Sequence, residues 1–236
     1  MPVIKTPQEI RSIQKACTHT DDIFSEILKE LQKGMYTTER QLARAINEKI
    51  KTRGLRHAFP VIVASGAGAA EPHHKPANEP LVGFTVIDFG VRVNGYCSDM
   101  TRTIYFGSPK PYEKVLYEKL LRSQLLGIRM VRDGASCAAS DLAVRKFLGA
   151  YRKYFIHTLG HGVGKRIHER PRMYYRAEKD MYEKNMVVTV EPGVYIEGKL
   201  GIRIEDTCVV TAQKADILTK STKKLCVFPK RDAVIY

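Results

Sequence analysis

Two aspartates, Asp88 and Asp99, stand in an otherwise apolar stretch from Val86 to Tyr105 whose middle is Asn94-Gly95. Asn-Gly between two alternating apolar runs is a strong short-range signal for an antiparallel hairpin. A two-residue type I′ turn places Val93 opposite Tyr96, Gly90 opposite Asp99 and Asp88 opposite Thr101. Strand side chains alternate, so Asp88, Gly90, Asp99 and Thr101 then share one face, with the carboxylates as diagonal neighbours. Bare carboxylates beside Val86, Ile87, Phe89 and Val91 repel each other and resist desolvation, and a divalent cation between them removes both penalties. The hairpin alone also allows one solvated edge carboxylate and one turn aspartate.

The downstream sequence shifts that balance. His157, His161 and His168 fall within twelve residues, interleaved with Gly160, Gly162 and Gly164, and glycine lets backbone approach a ligand closely. Glu191 closes the apolar run Val187 to Val190 before Pro192-Gly193, and Glu205 sits in Gly201-Ile-Arg-Ile-Glu-Asp206. Strand parity puts Arg203 and Glu205 on one face. Four carboxylates with one imidazole are a hard donor set, too rich in oxygen for a structural zinc. They suit two bridged divalent ions about 3.5 to 4 Å apart, an arrangement that activates water and stabilises a tetrahedral species. The chemistry this implies is metal-assisted hydrolysis.

Helices and strands must hold those groups. Thr6-Pro7-Gln8-Glu9 is a capping box with proline at the first helical position, and Ile10, Ile13, Ala16, Phe24, Ile27 and Leu31 continue at helical spacing to Gly34. Thr37 or Thr38 caps a second helix with Leu42, Ala43, Ile46 and Ile50, closed by Gly54. Phe59 to Ala64 then reads as a buried strand, and Ser65 to Pro80 as a polar loop containing His73 and His74. The pattern repeats: a helix from about Tyr112 to Val131 with Val115, Leu116, Leu120, Leu125 and Ile128, a break at Gly134, and a helix near Ala138 to Tyr151. Strands return at Val187 to Ile196 and Ile202 to Val210. Two related halves sharing one core are expected, followed by a solvated basic tail, Lys214 to Arg231, with a last short strand.

At 236 residues and 44% hydrophobic composition, the chain can bury a full core. It holds no run of about 18 apolar residues and no apolar signal segment, from which a soluble, cytoplasmic protein with no membrane partner is expected. The five cysteines are scattered without C-x-x-C spacing, so they predict reduced thiols, with Cys97 a small hydrophobe beside the site. The formal charge of +14 raises nucleic acid as a partner, but the basic residues are spread along the chain, which favours a generally basic surface.

IDFG, YCSDMTRT, HTLGHGVG with HE, VEPGVYI and GIRIED, in this order, resemble the motifs of the pita-bread metallopeptidases, the family of methionine aminopeptidase, aminopeptidase P and prolidase. The resemblance spans nearly the whole chain. It implies an α+β pita-bread fold in which two pseudo-symmetric halves, 1–107 and 108–236, form a curved antiparallel sheet covered by helices, all within one catalytic domain, 1–236. It also implies that Asp88, Asp99, His161, Glu191 and Glu205 ligate two divalent ions (Mn, Co, Zn or Fe), with Asp99 and Glu205 touching both. By the same resemblance, Glu191 is the proton shuttle for the attacking water, and His73 and His168 contact the substrate carbonyl and the oxyanion.

The wording of VEPGVYI and GIRIED, with His157 and Arg203, resembles the Xaa-Pro branch. That implies hydrolysis of the bond after the N-terminal residue of peptides with proline in second position, as in aminopeptidase P or prolidase. A compact ring would shelter between His73, His168 and Tyr195, while Lys165, Arg166, Arg170 and Arg172 favour a carboxylate near the scissile bond. The chain is expected to be a catalytic domain without the N-terminal domain that completes the pocket in Xaa-Pro enzymes, and a homodimer is compatible with the resemblance. Two alternatives stand beside this: removal of N-terminal methionine, suggested by the compact length, and a non-catalytic peptide-binding module, against which all five ligand positions are kept.

Overall fold

The structure, a computed structural model, describes residues 4–230. Thr6 accepts the Glu9 N–H while the Glu9 carboxylate accepts the Thr6 N–H, and this box launches α1 (Pro7–Gln32). Ile13, Ala16, Phe24, Ile27 and Leu31 form its buried stripe. Thr38 caps α2 (Glu39–Thr52) by accepting the Gln41 N–H, and Leu42, Ala43, Ile46 and Ile50 are all buried.

Six strands complete the first half: β1 (Arg56–His57), β2 (Ile62–Ser65), β3 (Gly83–Phe89), β4 (Val91–Val93), β5 (Tyr96–Cys97) and β6 (Met100–Phe106). The buried strand expected from Phe59 is shorter and starts at Ile62, because Pro60 has no N–H to give to a ladder. The Asn94-Gly95 turn is present with both residues at positive φ, and Val93 faces Tyr96. Farther out Asp88 faces Thr101, the register set by counting from the turn.

The second half begins with α3 (Pro111–Met130) and α4 (Cys137–Leu148). Val115 and Leu125, expected in the apolar stripe of α3, are exposed instead. The buried line runs through Leu116, Leu120, Gln124 and Ile128, and a residue one step before or after that line points about 100° away from it. Eight strands follow: β7 (Gly160–Gly162), β8 (Glu169–Met173), β9 (Val187–Val190), β10 (Gly193–Ile196), β11 (Leu200–Arg203), β12 (Asp206–Val210), β13 (Ala215–Ile217) and β14 (Val227–Phe228).

The protein is α+β, and its ladders are antiparallel except where β14 joins β6. The orders are β14-β6-β3-β2, β1-β4-β5, β13-β12-β9-β7-β8 and β10-β11. The hairpin expected over 86–105 and the two long strands expected over 187–196 and 202–210 are each divided in two beside the acidic residues. The first changes sheet between Phe89 and Val91, and the second between Val190 and Gly193 on one strand and Arg203 and Asp206 on the other. At Gly90 the division brings backbone against backbone, for a Cβ there would lie 1.9 Å from the Ser98 carbonyl oxygen.

The single shared core resolves into two main clusters, because each helix pair covers its own sheet. Leu31, Ile46, Ile87 and Phe106 belong to one, and Leu120, Val144, Val190 and Ile202 to the other. The halves still interlock. Phe84 and Tyr105 enter the second cluster and Phe228 returns to the first. The tail is therefore more than a solvated surface, since Leu218, Thr219 and Phe228 are buried; its last residue, Arg231, lies outside the described residues. Among the described residues no helix is long and apolar enough to cross a membrane.

Candidate metal centre

The divisions in the two hairpins meet face to face. The Glu205 N–H donates to the Thr101 carbonyl at 3.1 Å, Thr103 Oγ1 donates to the Arg203 carbonyl at 2.8 Å, and Thr207 Oγ1 donates to the Asp99 carbonyl at 2.7 Å. These bonds stitch β6 to the β11–β12 segment and set Asp88, Asp99 and Thr101 against Glu205. Where a ladder ends, side chains of two sheets can converge on one point, which a continuous ribbon would forbid.

Ligand atoms of Asp99, His161 and Glu205 lie within 4.8 Å of one another. His161 Nε2 is 3.6 Å from Asp99 Oδ2 and 3.3 Å from Glu191 Oε1. Its Nδ1 is 3.0 Å from the Gly162 carbonyl, which can only accept, so Nδ1 carries a proton and Nε2 is the nitrogen that faces the carboxylates. Thr189 Oγ1 accepts the His161 backbone N–H and donates to Glu191 Oε1, tying the Glu191 carboxylate to the His161 backbone through two bonds of 3.1 Å.

Asp88 completes the group from a different direction. Its Oδ2 accepts Arg203 Nη2 at 2.6 Å, whereas its Oδ1 is buried with no hydrogen-bond partner among the described residues. Arg203 also gives Nε to Thr101 Oγ1 at 3.1 Å and Nη1 to the Tyr195 hydroxyl at 2.8 Å. The Tyr195 hydroxyl in turn meets His157 Nε2 at 2.8 Å, and His157 Nδ1 donates to the Thr158 carbonyl at 2.8 Å. Since Nδ1 is the donor, neutral His157 accepts from Tyr195, so protons run in one direction from Arg203 through Tyr195 to His157.

The electrostatics describe a site short of positive charge. Burial pushes the Asp99 and Glu205 carboxyls well above the usual carboxylate range, with neighbouring carboxylates adding to the rise, and burial raises Asp88 despite Arg203. Burial would raise Glu191 too, but the His161 hydrogen bond and charge hold it below its ordinary value. Burial lowers His157 to about 4.

A divalent cation fits these residues. The Asp88 Oδ1, the His161 Nε2 turned toward the acids and the crowded buried carboxylates of Asp99 and Glu205 are the donors a hard or borderline cation takes.

Above this floor opens a cleft of about 1310 Å³ whose walls include His73, His157, His168 and Arg203. His168 packs edge-on against His161 with ring centroids 4.4 Å apart. Its pKa is lowered, first by burial and then by the His161 and His73 charges. Lys75, Arg166, Arg170 and Arg172 are also in the lining. Lys165 is not in it; its ammonium sits 5.5 Å from the Tyr96 ring centroid. Tyr195 is likewise absent from the lining and buried behind it, with its hydroxyl held between Arg203 and His157. Cys97 is buried in an apolar cluster with Tyr96 and Val163, the packing role expected of it.

The family model for metallopeptidase family M24 matches residues 11–212. The chain belongs to that family. It is 37% identical over 228 residues to an Xaa-Pro dipeptidase of Pyrococcus furiosus, covering 94% of this chain and 65% of the relative. Among solved structures, the X-Pro aminopeptidase of Thermotoga maritima superposes with a TM-score of 0.90 at 33% identity, over 95% of this chain and 64% of that one. A zinc-substituted aminopeptidase P of E. coli in complex with product matches with a TM-score of 0.84 at 26% identity, over 94% and 57% of the two chains. The fold is therefore the pita-bread fold of this family. The chain spans about 65% of the length of the Pyrococcus relative.

Several residues that hold the site stand outside the donor set. Thr103 and Thr189 act through hydroxyls on the faces that bear the acids, as does Thr101, already placed beside Asp88 and Asp99 by the hairpin register, and strand parity could have found Thr103 and Thr189 as well. Arg102 donates Nη1 to the Glu205 carbonyl and Nη2 to Asp206 Oδ1 at 2.7 Å, and Lys223 reaches Asp206 Oδ2 at 2.5 Å. That buried group clamps the tail against the strand after Glu205. Only long-range pairing makes it visible.

Proposed function

We propose that this chain is the catalytic part of a metal-dependent peptidase that hydrolyses the bond between an N-terminal residue and proline. The observation that carries it is the convergence of Asp99, His161 and Glu205 at the floor of a cleft whose walls offer His73 and His168. The Xaa-Pro names of the matched relatives support the substrate class.

The five donors Asp88, Asp99, His161, Glu191 and Glu205 would hold two divalent ions, Mn, Co, Zn or Fe. When bound, such ions lower the pKa of water and polarise a carbonyl. Glu191, anchored to His161 and Thr189, is placed to take the proton of the attacking water and deliver it to the leaving nitrogen. His73 and His168 donate hydrogen bonds to the carbonyl oxygen as it gains charge. Arg203 offsets part of the burial cost of the Asp88 carboxylate and aims it, and His157, kept neutral by burial, terminates the chain of hydroxyl and guanidinium bonds behind the site. A bond to proline has no N–H, so the cleft does not depend on that donor, and the histidines can flank the ring. The cations Lys75, Arg166, Arg170 and Arg172 along the cleft suit a substrate carboxylate, an attraction that salt should weaken.

A panel of Xaa-Pro, Met-Ala and Met-Gly peptides with added Mn, Co or Zn tests this. Xaa-Pro peptides should be cleaved at least about tenfold better in kcat/KM, which is about 1.4 kcal/mol of discrimination. Release of methionine with Xaa-Pro peptides left intact would replace the proposal by methionine removal.

A further inference from the structure

The polar loop between β2 and β3 carries His73 into the cleft, and a carboxylate outside every motif pins it. Glu39, the first residue of α2, is fully buried. Its Oε1 accepts the Ser65 N–H at 2.7 Å; its Oε2 accepts the Ala77 N–H at 2.9 Å and meets His74 Nε2 at 2.8 Å. Among the described residues its only ion-pair partner is His74. Donors from the start, the middle and the end of one loop thus converge on a single buried carboxylate.

The loop is held from the opposite side as well. A Cβ on Gly201 would lie 1.6 Å from the Ala69 carbonyl oxygen, so β11 and the loop touch backbone to backbone. Arg203 Nη1 donates to the Pro72 carbonyl at 3.4 Å. His73 stands between Pro72, tied to the site arginine, and His74, tied to Glu39. Its own side chain is in the cleft lining, and its residue is exposed. An imidazole on a loop has no secondary-structure ladder to orient it, so its direction must come from its neighbours' bonds.

We infer, resting on the peptidase reading above, that the Glu39–His74 pair positions His73 for its contact with the scissile carbonyl. Glu39 is the fixed point because it is buried on a helix. His74 is the lever because its ring bond sets the backbone on which His73 turns. A carboxylate at a helix N-terminus is also favourable to the helix, but that role alone asks nothing of His74.

Three variants test it: His74→Leu, His74→Gln and Glu39→Gln. Each is read by kinetics on an Xaa-Pro peptide with added Mn and by NMR of the histidine rings in the metal-free protein, His73 being assigned with His73→Gln. His74→Leu should lower kcat by about tenfold to a hundredfold while KM moves less than about threefold, the cost of a catalytic group displaced by about an ångström. The His73 ring signals should shift or broaden. In His74→Gln the amide N–H can still reach Glu39 Oε2, so kcat should stay within about threefold of the parent and the His73 signals should be retained. Glu39→Gln should resemble His74→Leu, and if it does not fold, the two His74 variants decide alone. Unchanged His73 signals in His74→Leu, or a His74→Gln no better than His74→Leu, would overturn the inference. A parent inactive on Xaa-Pro peptides would count against the peptidase reading only, and the NMR comparison would still decide the role of the pair.

Discussion

Replacing Arg203 by Met removes the guanidinium that pairs with Asp88 while keeping an unbranched stem of similar length. Arg203 is 4% exposed and bonds Asp88 Oδ2 at 2.6 Å, the Tyr195 hydroxyl at 2.8 Å and Thr101 Oγ1 at 3.1 Å. Asp88 already has a second oxygen without a partner, so the substitution leaves a buried carboxylate wholly uncompensated in the metal-free protein. Breaking a buried charge pair from one side costs about 3 to 5 kcal/mol, since the remaining charge keeps its desolvation penalty. For a chain of 236 residues each kcal/mol shifts the melting midpoint by about 2 to 4 °C, so the expected fall is roughly 6 to 20 °C. Calorimetry or circular dichroism of chelator-treated protein measures it. The double variant Arg203→Met/Asp88→Asn should recover a large part of the loss, because the amide needs no counter-charge. A single variant that melts within about 2 °C of the parent, less than about 1 kcal/mol, would refute the assignment of Arg203 as the counter-charge of Asp88.

Asp99→Ala should lose at least one divalent ion, read by elemental analysis after dialysis, because Asp99 converges with His161 and Glu205 on one point and its loss removes a charged donor there. Glu191→Gln should lower kcat by about a hundred- to ten-thousandfold with KM little changed, since an amide cannot carry the proton; near-normal turnover would remove Glu191 from that role. His157 should stay neutral in histidine NMR of the folded metal-free protein until the pH nears 4, because burial depresses its pKa to about 4. The unfolded chain binds that proton near 6.5, so His157 contributes stability that is present above about pH 6.5 and lost as pH falls toward about 4, roughly 3 kcal/mol in all. His157→Gln should flatten denaturation midpoints across that window, and an unchanged slope would show that His157 is not the group responsible.

The helices and the turn were legible because each is decided within a few residues. The Thr6–Glu9 box, the Thr38 cap and the apolar spacing of α1 and α2 act over one or two turns, and the positive φ at Asn94 and Gly95 is a local demand. The register that places Asp88 opposite Thr101 follows by counting from that turn. The acids and imidazoles of the site were legible for a related reason. Carboxylates set in apolar strands, and histidines among glycines, are costly unless something binds them, so their chemical type betrays them without a fold.

Tertiary structure decided the rest. Local spacing made Val115 and Leu125 core residues of α3, but only the position of the sheet says which side of a helix is covered. Alternation along 187–196 and 202–210 describes two long strands. At Glu205 the division comes with contacts to Thr101 and Asp99 about a hundred residues away, and at Glu191 with an N–H given to the Leu159 carbonyl. Glu39, Arg102 and Lys223 look like ordinary charged residues in the sequence, and their roles are set by partners 35 to 104 residues distant or by a tail that folds back. Tyr195, which the motif placed beside the substrate, is turned behind the cleft because its hydroxyl is held between Arg203 and His157. Chemical type and local spacing are properties of neighbours in the chain; which charges share a buried site, and which side chain faces the cleft, depend on which distant strands the two cores press together.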